Sequence, residues 1–195
     1  MIETLMEWDE ALFLWLNGLH TSWLDPVMFW ISEKKTWIPL YLLIIGWIIK
    51  EYQWRSIIVL VGIILAITAT DQVCSGFMKP YFERFRPSRD PALEGLVHIV
   101  NDYRGGRYGF SSSHAGNSFA LATFLFFFFK RKYKWVAWFF LWAAVVSYSR
   151  IYLGVHYPGD IMVGALVGTG FGYLFYRISR YYLTKYRPKA RQNTR

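Results

Sequence analysis

The stretch SIIVLVGIILAITATDQVCSGFM, residues 56–78, contains no lysine or arginine and one acidic residue, Asp71. A bilayer's hydrocarbon core is about 30 Å thick, and a helix of roughly 17–25 apolar residues crosses it. Lipid offers no partner to an unpaired amide, so such a run must be a helix. Three further runs read the same way, at approximately 112–129, 134–150 and 159–180, and a fifth, TWIPLYLLIIGWII at 36–49, is shorter but uninterrupted.

The whole chain fits that reading. Of its 195 residues 54% are hydrophobic and 21% aromatic, an aromatic share well above that of ordinary globular domains. Short apolar runs also occur as buried helices of soluble proteins, but Trp135, Trp138, Tyr173, Tyr176, Tyr181 and Tyr182 lie near segment ends, as interfacial aromatic belts do. The expected fold class is therefore all-α: an integral membrane helical bundle of five to six transmembrane helices. Residues 1–35 form short N-terminal helices, 36–183 the transmembrane core, and 184–195 a basic tail. Within the first part, WDEALFLWLNGL and SWLDPVMFWIS predict two short helices, interfacial or re-entrant, parted by Gly18, His20 and Thr21-Ser22. MIETLMEWDE has no basic n-region, and the first lysine is Lys34, so no signal peptide is expected.

The net charge of +9 does not call for nucleic acid, because it is split by the spans. Thirteen Lys/Arg (Lys50, Arg55, the run KRKYK at 130–134, and Arg177 onward) fall on one side and nine on the other. The positive-inside rule assigns the thirteen to the cytoplasm, which puts the 79–111 loop outside and makes RPKARQNTR a lipid-facing cytoplasmic tail. The single cysteine, Cys74, excludes an internal disulfide or a cysteine metal cage and is expected to pack. Gly164, Gly168 and Gly172, at GxxxGxxxG spacing, predict a helix-packing face, used within the chain or for a homodimer.

Charge beside a membrane segment is costly, on the order of 2.5–3.5 kcal/mol at the centre, and so needs a reason. Three polar clusters gather on the outer side: KPYFERFRP (79–87), GFSSSHAGNSF (109–119) and SRIYLGVHYPGD (149–160). Singly each has an ordinary reading. Lys79, Arg84 and Arg86 could snorkel, Ser111–Ser113 could cap a helix, and Asp160 behind Pro158-Gly159 suits an N-cap. Together they make a set for phosphoryl transfer. Arginine binds phosphate bidentately, lysine adds a point charge, a serine turn at a helix N-terminus presents amides to an anion, and a histidine steadied by a carboxylate is a nucleophile. His156 and Asp160 are such a pair. A zinc site would lack its third and fourth ligands, since His20 and His98 lie outside the clusters, so no metal and no cofactor is expected; His98 reads as a loop residue.

This pattern resembles the membrane-bound type-2 phosphatidic-acid phosphatase family, in the lipid phosphatase/haloperoxidase superfamily, with its ordered motifs KxxxxxxRP, PSGH and SRxxxxxHxxxD. The first and third match at every defining position; the second appears as SSSH, with Ser111 for proline and Ser113 for glycine. The resemblance covers roughly residues 56–180. It implies that His156 attacks phosphorus and becomes a phosphohistidine, that Asp160 orients it, and that His114 protonates the leaving oxygen and then activates water. It also implies that Lys79, Arg86, Arg150, Ser112 and the Ser113 amide hold the phosphate, without metal. The implied substrate is a membrane lipid phosphate: undecaprenyl diphosphate first, then lipid A, phosphatidylglycerophosphate or phosphatidic acid. The implied location is a bacterial inner membrane, with the active site facing the periplasm or exterior. The competing class is a non-catalytic lipid-binding or transport protein of the same fold, for which His114, His156 and Asp160 would have no use.

Overall fold

In the computed structural model, residues 2–186 are described; 187–195, which hold most of the expected basic tail, lie outside the described residues. The elements are α1 (Ile2–Asn17), α2 (Leu24–Ser32), α3 (Ile38–Tyr52), α4 (Ser56–Asp71), α5 (Lys79–Phe82), α6 (Ser113–Phe129), α7 (Trp138–Tyr152) and α8 (Pro158–Lys185). Among the described residues the only strand-like pairing is an isolated bridge between Phe85 and Tyr108. The all-α expectation holds.

Among the described residues two helical stretches, Lys34–Phe82 and Pro158–Lys185, are long and apolar enough to cross a bilayer. The first is broken at Gln53, whose φ of 51° turns the chain so that α3 and α4 pack on each other. Their outward residues are bare hydrocarbon: Leu43 is 72% exposed and Ile57 65%, a pattern that suits lipid rather than water. Ile44, Ile48, Val59 and Ile63 turn inward to join Leu121, Phe124 and Leu125 of α6.

Helix α6 is the hub, packed most extensively on α8 and then on α7 and α4. The glycine stripe explains the α8 contact. A Cβ on Gly164, Gly168 or Gly172 would overlap the carbonyl of Ser112, Gly116 or Ala120, so glycine alone lets the two backbones meet. The stripe is thus spent inside the chain. At one end of the bundle Glu51 binds Lys132 at 2.7 Å and the Tyr133 hydroxyl at 2.6 Å, and Arg55 donates to the Leu183 carbonyl. These are groups that the charge count assigned to the cytoplasm.

Several boundaries differ from expectation. The run 56–78 does not end before Lys79: its last turn widens to π-helical geometry over Gln72–Met78 and continues into α5, which puts Lys79 on the helix. Helix α8 runs five residues beyond 180, past the expected tail boundary at 184. Helix α1 begins at Ile2 and ends at Asn17, and one of its faces docks on the bundle. Asp9, Phe13 and Asn17, spaced by four, form one stripe against the end of α7 and the start of α8. Phe13 is fully buried, and the Asn17 amide donates to the carbonyls of Ile151 and Tyr152 at 3.1 and 2.9 Å.

Candidate active site

The third motif builds the centre of the site. Helix α7 carries Arg150 and ends at Tyr152; Gly154 then reverses the chain with φ 70°, where a side chain would strike Val97 and the His98 carbonyl. Pro158 opens α8 with its φ already set. The cap is Tyr157, not Asp160 as expected. Asp160 sits two residues inside Pro158 and reaches back, accepting from the Tyr157 amide at 3.1 Å. That return aims the carboxylate at His156, with Asp160 Oδ2 3.2 Å from Nδ1.

Both residues are sealed from solvent, at 1% and 0% exposure. On the far side of the ring, Arg86 Nη1 lies 3.0 Å from His156 Nε2 and also donates to the Val155 carbonyl at 3.0 Å. A guanidinium has only donors, and a carboxylate only acceptors. The two partners therefore fix one tautomer: Nδ1 carries the proton toward Asp160, and Nε2 keeps its lone pair. Burial, then the charges of Arg86, Arg150 and Lys79, hold the His156 pKa well below the ordinary histidine value. Burial and the like charge of Arg150 pull Arg86 down to about 10, which leaves it a cation at neutral pH.

The other cations converge on the same point. Arg150, 3% exposed, is held by Ser32 and by the Tyr103 hydroxyl at 3.1 Å. Its Nε and that of Arg86 are buried without a protein partner, donors suited to an anion. Lys79 Nζ is 3.1 Å from Ser75 Oγ and 3.5 Å from Ser113 Oγ, joining the first motif to the second. Ser112 is the N-cap of α6: its Oγ accepts from the Ala115 amide at 3.4 Å, and its hydroxyl hydrogen remains to donate. The main-chain Ser112 amide donates to the Asp160 carbonyl at 3.0 Å. His114 follows on α6 and reaches a largely apolar cavity of about 470 Å³ walled by Ile44, Ile63, Ile67 and Leu121, with Lys34 at its rim.

Of the residues expected in the site, Asp160 and Arg86 contact His156 directly, Arg150, Lys79 and His114 lie close enough to act on its charge, and Ser112 and Ser113 are linked to it through Asp160 and Lys79. Missed were Arg84, Asp9, Tyr103, Ser32 and Lys34. Arg84 does not snorkel: its Nη1 bridges Asp9 at 2.8 Å and Asp160 at 3.2 Å, and its guanidinium stacks 3.8 Å over the Tyr157 ring. Asp9 and Asn17 carried a faint signal, polar residues on the same face of an apolar helix. Tyr103 and Ser32 carried none. His98 is satisfied locally, 2.9 Å from Asp25 and stacked on His20. Among the described residues no three of His, Cys, Asp and Glu gather as a metal-ligand set.

The arrangement can take a tetrahedral anion against Nε2, neutralise its oxygens, and offer a second histidine on the side of an apolar cavity. Residues 57–183 match the PAP2 superfamily. The chain is 43% identical over 182 residues to a lipid A 4'-phosphatase of Bacteroides thetaiotaomicron, covering 92% of this chain and 80% of that protein. It is 38% identical to a lipid A 4'-phosphatase of Porphyromonas gingivalis, covering 92% and 76%. Among solved structures, LpxE of Aquifex aeolicus superposes with a TM-score of 0.67 at 25% identity, over 86% of this chain and 93% of that one.

Proposed function

The chain belongs to the PAP2 superfamily and is a membrane-bound lipid phosphatase; on that premise we propose that it removes a phosphate monoester from a lipid A-type glycolipid through a phosphohistidine, without a metal. The observation that carries the chemistry is His156 held between Asp160 at Nδ1 and Arg86 at Nε2. The Nε2 lone pair forms a bond to phosphorus as the ester P–O bond breaks, and His114 gives its proton to the departing lipid oxygen. His114 then takes a proton from water, whose oxygen attacks phosphorus; the N–P pair returns to Nε2 and inorganic phosphate leaves. Arg86, Arg150, Lys79 and the start of α6 neutralise the nonbridging oxygens, the electrostatic work that a metal does in other phosphotransferases.

The leaving group lies toward His114 and hence toward the apolar cavity, which suits a lipid alcohol. Lipid A comes first because the relatives compared above at 43% and 38% identity carry that activity in their names. Undecaprenyl diphosphate, the sequence's first expectation, is the second reading. It is favoured by Lys34, a cation at the cavity rim near His114, where a diphosphate would place its second phosphate. The Lys/Arg asymmetry supports a site facing away from the cytoplasm in a bacterial inner membrane.

The test is phosphate release by the purified protein from lipid A, undecaprenyl diphosphate, phosphatidylglycerophosphate and phosphatidic acid, with His156→Ala as blank. Preference for lipid A is expected; preference for another lipid replaces the substrate, and silence on all four removes the reading.

A further inference from the structure

The Asp160 carboxylate meets three groups, His156, the Tyr157 amide and Arg84, and the last stands at an unspecified position of the first motif, between Lys79 and Arg86. Oδ2 faces His156 Nδ1 and the Tyr157 amide; Oδ1 faces Arg84 Nη1 at 3.2 Å. A fully buried carboxylate is costly unless its oxygens are paired, and a cation pairs better than a neutral donor. Arg84 is itself fixed from three directions: by Asp160, by Asp9 Oδ2 at 2.8 Å, and by the Tyr157 ring beneath it. Asp9 uses its other oxygen to accept from the Gly159 amide at 2.7 Å. A Cβ on Gly159 would come within 2.7 Å of Asp9 Oδ2, so the glycine between Pro158 and Asp160 is what admits the carboxylate from α1. One side chain of α1 thus holds both the first turn of α8 and the arginine that grips Asp160.

We propose that Arg84 and Asp9 are positioning residues for the His156–Asp160 pair, which makes the N-terminal helix a working part of the active site. Asp9 lies outside residues 57–183, the part of the chain that matches the superfamily. Arg84 does not serve as a further phosphate ligand: the nitrogen it turns toward the site is committed to two carboxylates, and it meets Asp160 on the oxygen that does not face the imidazole. Its effect reaches phosphorus only through the orientation of that carboxylate and, from it, of Nε2. The proposal rests on the phosphohistidine reading above.

The experiment uses the full-length protein in detergent, with lipid A and undecaprenyl diphosphate as substrates and His156→Ala as blank. Arg84→Gln is expected to lower kcat on the order of 10- to 100-fold, as loss of an outer partner of a functional ligand does, with KM within about twofold. Arg84→Lys should recover much of that loss, and Asp9→Asn, which keeps an acceptor for Gly159, should show a smaller fall of the same kind. These two preserve shape, so they decide the matter if Arg84→Gln does not fold. A rise in KM at constant kcat would make Arg84 a phosphate ligand and overturn the proposal, as would wild-type turnover by all three variants. Failure of the functional reading shows in the wild type itself: silence on all four lipids named above removes that reading, and this proposal with it, whereas activity on another of the four moves the variants to that substrate.

Discussion

Arg86 Nη1 stands 3.0 Å from His156 Nε2, so the proposed nucleophile and a proposed ligand of the phosphoryl oxygens are neighbours. The Nε2 lone pair accepts from Arg86 in this structure, so the guanidinium must turn from the ring to the incoming phosphoryl oxygens before attack. The cost is borne by burying like charges together, which the fold tolerates because Val155, Tyr103 and Ser32 each engage one of the guanidiniums.

His156→Ala should abolish phosphate release, by at least about a thousandfold, and Asp160→Asn should cost on the order of a thousandfold or more, the scale seen when an orienting carboxylate is neutralised. His156→Ala should keep a cooperative melting transition in detergent. Near-normal turnover by His156→Ala would assign the nucleophile elsewhere.

The pH dependence has a definite sign. His156 must be unprotonated to attack, and burial together with the charges of Arg86, Arg150 and Lys79 disfavours its protonated form. The acid limb of kcat/KM, which reports the free enzyme, is expected below the ordinary histidine value of about 6.5. A His156 limb at or above that value, absent from the profile of no other histidine variant, would contradict the charged surroundings described.

Excess chelator should leave turnover within about twofold if, as proposed, cationic side chains take the role that a divalent ion plays in other phosphoryl transfers. Complete loss that a divalent ion restores would replace the metal-free route.

Gly168→Ala should destabilise the bundle by about 1–3 kcal/mol, the usual cost of overpacking, because the added methyl meets the main chain at Gly116 rather than a side chain that can move. Thermal melting in detergent reads the loss directly. An unchanged melting temperature would mean that α6 and α8 are not in the close contact described.

The membrane class and the chemical motifs were legible because they are written locally. Continuous apolar runs declare helices whatever surrounds them, and Lys79, Arg86, Arg150, His156 and Asp160 stand at fixed spacings. What the sequence hid depends on distant segments meeting. Arg84 lies seventy-odd positions from both Asp9 and Asp160, and nothing near it distinguishes a clamp from an interfacial cation. The extension of helix through Lys79 was hidden for another reason: a polar cluster beginning with Lys-Pro reads as a helix end, whereas the widened π-helical turn over Gln72–Met78 absorbs the proline that follows.

The Ser112 amide donates to the Asp160 carbonyl, which ties the segment bearing one histidine to the segment bearing the other through atoms that every amino acid but proline possesses. Side chains at 111 and 113 are not part of that tie. The tie therefore survives here with Ser111 and Ser113 where PSGH has proline and glycine, and it keeps the register between the two histidines.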